Sequence, residues 1–329
     1  MNWPLLVLGL VTLFIYIFAS VIHAALTNFW FHDTYPDIAF DQPRVRPTGV
    51  ADDAFLVDLH CHTTASDGLL APGQLVRWSI ANGYDGLVVS DHNTMDAVAA
   101  VAAAAKEIDP EFVVVPGYEF TSMRAHVNLI GLRDPPRRKP HLLWTRKSTI
   151  VAAIEHVHEQ GGVAMFNHRD WYPYNILRSL PRDWWLERGI DGWEVHNGFG
   201  FIDDGALPFI EASKEYRVMF PGAGTDVHDP AKHWRVYTEV LTTERSVDGV
   251  LRALKEGKTR VHFNKEDPRN VSRPEEGMVQ ANPERRAFIR RWAWLNWIGM
   301  SLQTGKRTRL AAGFVVAVIA LLVVLSLLF

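Results

Sequence analysis

Asp58-Leu59-His60-Cys61-His62-Thr63-Thr64-Ala65-Ser66-Asp67-Gly68 follows directly on the apolar run Phe55-Leu56-Val57, and together they read as a short buried strand that breaks into a polar turn. Alternate side chains of a strand share a face, so His60 and His62 point the same way and can grip one metal ion. Asp67 adds a hard oxygen ligand just beyond them. A lone histidine at a strand end is more often a satisfied polar residue than a ligand. Whether three potential ligands within eight residues make a site depends on what else the chain brings to the same place.

Outward from that stretch, helices and strands alternate. Pro72 to Asn82 has helical periodicity through Leu75, Trp78 and Ile80 and closes at Gly83. Gly86 to Ser90 reads as a strand ending in Asp91-His92-Asn93, and Thr94 to Ile108 as an Ala-rich helix. Phe112 to Val115 is a strand that runs into Pro116-Gly117-Tyr118-Glu119, and His126 to Gly131 is another. Arg133 to Lys147 is basic and Pro-containing, a loop. Thr149 to Gln160 is a helix stopped by Gly161-Gly162, and the strand Val163 to Phe166 ends at Asn167-His168. Gly192 to Val195 ends at His196-Asn197, and Val218 to Phe220 leads through Gly222 and Thr225 to Asp226-Val227-His228. A strand over Val236 to Leu241 and a helix over Val247 to Glu256 close the series. Such alternation argues for an α/β domain with mostly parallel strands.

One position recurs. His60, His92, Glu119, His168, His196 and Asp226 all fall at or just past the C-terminal end of an expected strand. In a closed β/α barrel those ends form one rim, where active sites are built. Gathering rim residues yields His60, His62, Asp67, His92, Glu119, His126, His168, Asp226 and His228 as a ligand set, with Asp226-Val227-His228 repeating the alternation of the opening motif. Six imidazoles and three carboxylates exceed the needs of one ion, so two or three divalent metals are expected. Mixed nitrogen and oxygen donors suit zinc, manganese or iron better than magnesium or calcium. Clustered cations in a barrel mouth suit hydrolysis.

The motifs DLHCHTTASDG at 58–68, VVSDHN at Val88 to Asn93, PGYE at Pro116 to Glu119, His126, VAMFNH ending at His168 and GTDVH at Gly224 to His228 resemble those of the PHP (polymerase and histidinol phosphatase) family of metal-dependent phosphoesterases, in the family's order and over residues 55–260. The resemblance implies a distorted (β/α)7 PHP-type barrel with up to three metals. By position, His60, His62, Glu119 and Asp226 would hold one metal. Glu119 would bridge to a second, bound also by His126 and His168, while Asp67, His92 and His228 would hold a third. Family members hydrolyse phosphomonoesters or phosphodiesters, among them histidinol phosphate, nucleoside bisphosphates and RNA or DNA ends. The family commonly has Pro after the fourth-motif His, where this chain has Arg169, a candidate phosphate clamp or a surface residue paired with Asp170. Glu119, Arg169 and His196 are the candidate catalytic residues. Asp91 reads either as orienting a ligand or as capping the next helix. His156 and His158 read as surface residues, His141 and His233 as loop residues able to reach substrate, and Cys61 as core.

The rest of the chain bounds these expectations. Net charge over 329 residues is −3, so nothing global suggests a nucleic-acid binder, and no dedicated nucleic-acid module is visible. One cysteine excludes an intramolecular disulfide and a Cys-rich zinc cluster. Pro4 to Leu26 and Leu310 to Phe329 are apolar runs long enough for a hydrocarbon core of about 30 Å. Absence of Lys or Arg in Met1-Asn2-Trp3 and of a small-residue cleavage site argues for an uncleaved helix at the first. Glu284 to Gln303 interleaves Arg with Trp, as a helix lying on a membrane surface or a solvated helix packed on the domain would. Lys306, Arg307 and Arg309 precede the last run, which by the positive-inside rule puts the domain in the cytoplasm. The expected organisation is a transmembrane helix and linker over 1–50, the α/β domain over 51–265, a basic interfacial segment over 266–309 and a second transmembrane helix over 310–329. The expected protein is a membrane-anchored phosphoesterase that takes a phosphate-ester substrate and contacts lipid through both helices. A tethered binding module with structural metals, or a hydrolase of another bond, are the alternatives.

Overall fold

The computed structural model describes residues 40–122, 124–138, 140, 145–169, 180–230, 233–264 and 267. Both expected membrane helices, the basic segment 284–303, His141 and Asp170 lie outside them. Among the described residues no helix is long and apolar enough to cross a membrane.

In chain order the elements are β1 (Leu56–Cys61), α1 (Pro72–Ala81), β2 (Gly86–Val89), α2 (Val98–Ile108), β3 (Val113–Thr121), β4 (His126–Ile130), α3 (Lys147–Glu159), β5 (Val163–Phe166), α4 (Arg182–Glu187), β6 (Gly192–Asn197), β7 (Phe201–Ile202), α5 (Ala206–Ser213), β8 (Phe220–Gly224), β9 (Val236–Val240), α6 (Val247–Lys255) and β10 (Thr259–Phe263). The sheet runs β10-β9-β1-β2-β3-β4-β5-β6-β7, with β8 attached to β6. β1, β2 and β3 are mutually parallel, as are β5, β6 and β8. β4 runs antiparallel between the two groups. An isolated parallel bridge from Cys61 to Val227 brings the end of β8 back to β1. The result is a mixed α/β half-barrel, less regular than an alternating (β/α)7 barrel.

The departures have local causes. β3 does not stop at Val115 but continues through Pro116 and Gly117 to Thr121, because the short segment to β4 forms a hairpin and not a crossover. Only glycine fits at 117, since a Cβ there would stand 2.5 Å from Val88 Cγ1 and 2.9 Å from Val89 O. α2 starts at Val98 and not Thr94, where the threonine hydroxyl accepts the Asp96 amide and offers the backbone a turn in place of a helix. A further strand, β10, follows the turn at Gly257, whose φ is +66°, alternates through Thr259-Arg260-Val261-His262-Phe263 and pairs antiparallel with β9.

Two apolar clusters hold the frame. One packs Phe120, Leu129, Ile154, Trp185 and Trp193 between sheet and outer helices. There Phe166 stacks on Trp193 at 4.6 Å, and the Trp193 indole N–H donates to Asp203 at 2.8 Å. The other gathers Phe55, Val57, Val113, Val163 and Phe220 at the strand starts, where α6 covers them with Val250, Ala253 and Leu254. The apolar filling therefore occupies the end opposite the expected ligands. The rim is left to polar groups.

Candidate metal centre

β1 delivers His60 and His62, both fully buried, to one side. Cys61 points the other way, with Sγ 3.1 Å from Val88 O. His60 Nδ1 stands 3.0 Å from Glu194 Oε1, which turns Nε2 toward Glu119 Oε1 at 3.2 Å and Asp226 Oδ1 at 3.3 Å. His62 Nε2 is 3.2 Å from His60 Nε2 and 3.0 Å from Asp226 Oδ1. Such close approach of ring nitrogens and carboxylates is the arrangement of ligands around a shared cation.

Glu119, at the outer end of β3, occupies the middle. Its Oε1 meets His126 Nδ1 at 3.0 Å and His168 Nε2 at 3.4 Å and accepts the Asn167 amide at 2.8 Å. Its Oε2 accepts the Thr121 hydroxyl at 3.0 Å and faces His92 Nδ1. Burial works to raise its pKa, but His126, His92 and His60 outweigh that and hold the carboxyl well below its ordinary value. Asp67 shows the same balance: burial opposes its charge, and His228 and His92 overcome it.

All nine expected ligands fall into four overlapping groups: His62 with Asp67, His92 and His228; His60 with His168 and Asp226; His60 with His62 and Glu119; and His92 with Glu119 and His126. Within each group the ligand atoms lie within 4.8 Å of one another. His168 lies both with His60 and Asp226 and beside the Glu119–His126 pair, its Nε2 3.4 Å from Glu119 Oε1 and its ring 4.9 Å from that of His126, and His62 also faces the Asp67 group. The residues fit divalent cations. Both Asp67 oxygens, His92 Nε2 and His228 Nε2 are buried with no partner beyond one another, His228 Nε2 being 3.1 Å from Asp67 Oδ1 and His92 Nε2 3.5 Å from it. Buried lone pairs left without donors carry a desolvation cost that a cation removes.

Backbone strain sits at the same place. His168 and Asp226 have φ of +26° and +53°, unusual for residues with a Cβ. Each turns the chain sharply after its strand. The Asp226 amide donates to His60 O at 2.6 Å, and the His168 amide donates to Glu194 Oε2, also at 2.6 Å.

A second layer fixes the ligands, and most of it escaped the sequence reading. Glu194 touches His60 and His168 directly and also accepts from the Asn197 amide group at 3.1 Å; Asn197 donates in turn to Asp226 Oδ2 at 3.2 Å. One carboxylate thus ties the whole His60, His168 and Asp226 group. The available signal was a charged residue inside the apolar strand Gly192-Trp193-Glu194-Val195. Asp58 accepts from the amides of His60 and Thr225 and from the Thr225 hydroxyl; burial pushes its pKa up to about 7, with the Thr225 bonds opposing. Asp91 caps no helix. It accepts from Thr63 N at 2.8 Å and Ser66 Oγ at 2.5 Å and so holds the loop carrying Asp67, while Ser66 Oγ lies 3.4 Å from His62 Nδ1.

The remaining histidines separate. His233 is buried, with Nδ1 2.7 Å from Asp229 O, and its Nε2 accepts from the His228 amide at 3.4 Å. His156 is buried too, against expectation, 3.2 Å from Asp134 O; His158 is half-exposed and 2.6 Å from Asp191. His196 enters none of the four groups, and its ring lies 5.1 Å from that of Phe263. Arg169 follows His168 at the rim and is half-buried.

No family model matches the chain. A stretch of 56 residues, 17% of this chain, is 45% identical to the 5'-3' exoribonuclease of Haemophilus influenzae and covers 20% of that protein. A stretch of 84 residues, 24% of this chain, is 37% identical to the 5'-3' exoribonuclease Rnm of Salmonella typhimurium and covers 28% of it. Both matches span under a third of the relatives' length. Among solved structures, a two-domain protein from Bacteroides vulgatus described as containing a predicted PHP-like metal-dependent phosphoesterase superposes with a TM-score of 0.57 at 21% identity, covering 68% of this chain and 70% of that one. The half-barrel is shared with that PHP-like protein.

Proposed function

We propose that this chain is a metal-dependent hydrolase of phosphoester bonds. The observation that carries the reading is the Asp67, His92 and His228 cluster, whose buried ligand atoms face one another at the rim with no hydrogen-bond partner from outside the cluster. Divalent ions held by the nine ligands would supply Lewis acidity toward a phosphoryl oxygen and lower the pKa of a bound water. The protein's own residues set the stage for that chemistry. Glu119, ionised and central, lies against His60, His92 and His126, which between them belong to all four groups, and would hold adjacent ions together. Arg169 would place its guanidinium on the non-reacting phosphoryl oxygens, where a planar fork binds best. His196, set against Phe263, would border the substrate and not move a proton.

The sequence matches to 5'-3' exoribonucleases favour a second, narrower reading: that the phosphoester is the internucleotide phosphodiester at the 5' end of an RNA strand. The apolar runs at 4–26 and 310–329 support a tether at the membrane on either reading, with the organisation 1–50, 51–265, 266–309 and 310–329 and the domain on the cytoplasmic side.

Full-length protein in detergent, loaded in turn with manganese, zinc and iron, tests the proposal against phosphomonoesters, nucleoside bisphosphates, oligonucleotides and phospholipid head groups. Metal-dependent turnover of at least one class is expected. No hydrolysis of any class, with metals raising only the melting temperature, would replace the enzyme with a binding module.

A further inference from the structure

The turn that follows β6 is unusually well tied. The Gly198 amide donates to Gly224 O at 3.0 Å, the Phe199 amide to Asn197 Oδ1 at 2.9 Å, the Gly200 amide to Asn197 O at 2.9 Å, and the Trp234 amide to Gly198 O at 2.7 Å. It sits directly on the segment that presents Asp226, because a Cβ at Gly198 would stand 2.2 Å from Thr225 O. Trp234, stacked on Phe263 at 5.2 Å, flanks it.

On this rigid turn Phe199 is 47% exposed. A single exposed apolar side chain needs no explanation by itself. Its position does: the ring is 5.6 Å from that of the metal-ligand candidate His228 and meets the buried His233 edge-on at 4.4 Å. Phe201 continues the surface at 6.4 Å. Among the described residues the other strongly exposed aromatic ring is Tyr216, which follows α5. A fixed, half-exposed aromatic face beside a cation site proposed to take a phosphoester is what a planar group attached to that phosphate stacks upon, and stacking of this kind tolerates any base.

We infer that Phe199, backed by His233 and extended by Phe201, is a stacking subsite for the planar ring of the substrate's alcohol portion, so that the site selects nucleoside phosphates over sugar or lipid phosphates of equal charge. The inference rests on the phosphoesterase reading only for where the phosphate lies. Binding of the ring can be measured without turnover.

The test compares the non-hydrolysable phosphonate analogues of adenosine 5'-monophosphate and ribose 5-phosphate by calorimetry on the manganese-loaded full-length protein in detergent, for the wild type, Phe199→Ala and Phe199→Trp. The nucleotide is expected to bind about tenfold more tightly. Phe199→Ala should bring the ratio close to one and Phe199→Trp should keep it, with the melting temperature of both variants checked against the wild type. Equal binding of the two ligands by the wild type, or a preference that survives Phe199→Ala, overturns the subsite. Metal-loaded protein that hydrolyses ribose 5-phosphate yet shows no nucleotide preference would sink the subsite and leave the hydrolase standing. A preference without any hydrolysis would do the reverse.

Discussion

Glu194 makes the strongest claim at the scale of single residues. It gives one oxygen to His60 and the other to the His168 amide and Asn197, so its loss would loosen three ligands at once. Partners of this kind cost about 10–100-fold in metal affinity when removed. Glu194→Gln should therefore fold, keep the Asp67 group and lose affinity of that order for one ion, read by competitive chelator titration and metal analysis. Unchanged stoichiometry and affinity would show that the carboxylate is only structural. His228 offers a second handle. Burial opposes its charge, but Asp67 and then Asp226 push its pKa up to about 10, while burial with His228 and His92 holds His62 down at about 3. Near neutral pH a metal entering this group meets a neutral His62 but must displace the proton on His228. Metal uptake should release about one proton at this group, and affinity should climb as pH rises toward that pKa. Calorimetry in two buffers of different ionisation enthalpy counts the proton; uptake without release would contradict it. The same raised pKa stabilises the metal-free fold fully below the ordinary 6.5 of an imidazole, and that contribution is lost as pH rises through about 10.

At the scale of elements, the rim depends on how closely β8 lies on β1. Gly224 ends β8, and a Cβ there would fall 2.2 Å from His60 Cβ. Gly224→Ala should cost about 1–3 kcal/mol through displaced backbone, or about 2–12 °C in melting temperature for a domain of this size. It should also shift His60 and so depress metal affinity. Thermal denaturation that matches the wild type would mean that the two strands can part without loss. The hairpin of β3 and β4 does comparable work, because its shortness is what brings His126 within 3.0 Å of Glu119. Their separation of seven residues left little room in the sequence for a connection between two strands carrying these ligands. It did not reveal that the strand between them reverses direction, because an antiparallel neighbour shows only in pairing, not in apolar pattern.

For the whole molecule the open question is attachment. Two apolar runs flank a domain that carries no membrane-length helix among its described residues. The full chain should stay with membranes through an alkaline carbonate wash, and external protease on intact cells should leave residues 51–265 undigested. Release by carbonate would remove the tether, and digestion would invert the topology drawn from Lys306, Arg307 and Arg309.

The amino-acid order alone determined that nine potential ligands exist and that His60, His92, Glu119, His168 and Asp226 among them stand at or just past strand ends. Period-two alternation in β1 and repeated His, Asp and Glu after apolar runs are local properties that need no partner to be read. How the ligands crowd together was decided only by the fold. Glu194, from a strand more than a hundred residues after β1, contacts both His60 and the His168 amide, and positive φ at His168 and Asp226 turns the chain sharply at the rim. Contacts of such separation depend on sheet order and rotamer, and neither is written in any short stretch of chain. The opening motif supplied His60 and His62 side by side; the half-barrel brought Glu119 and Asp226 against both of them.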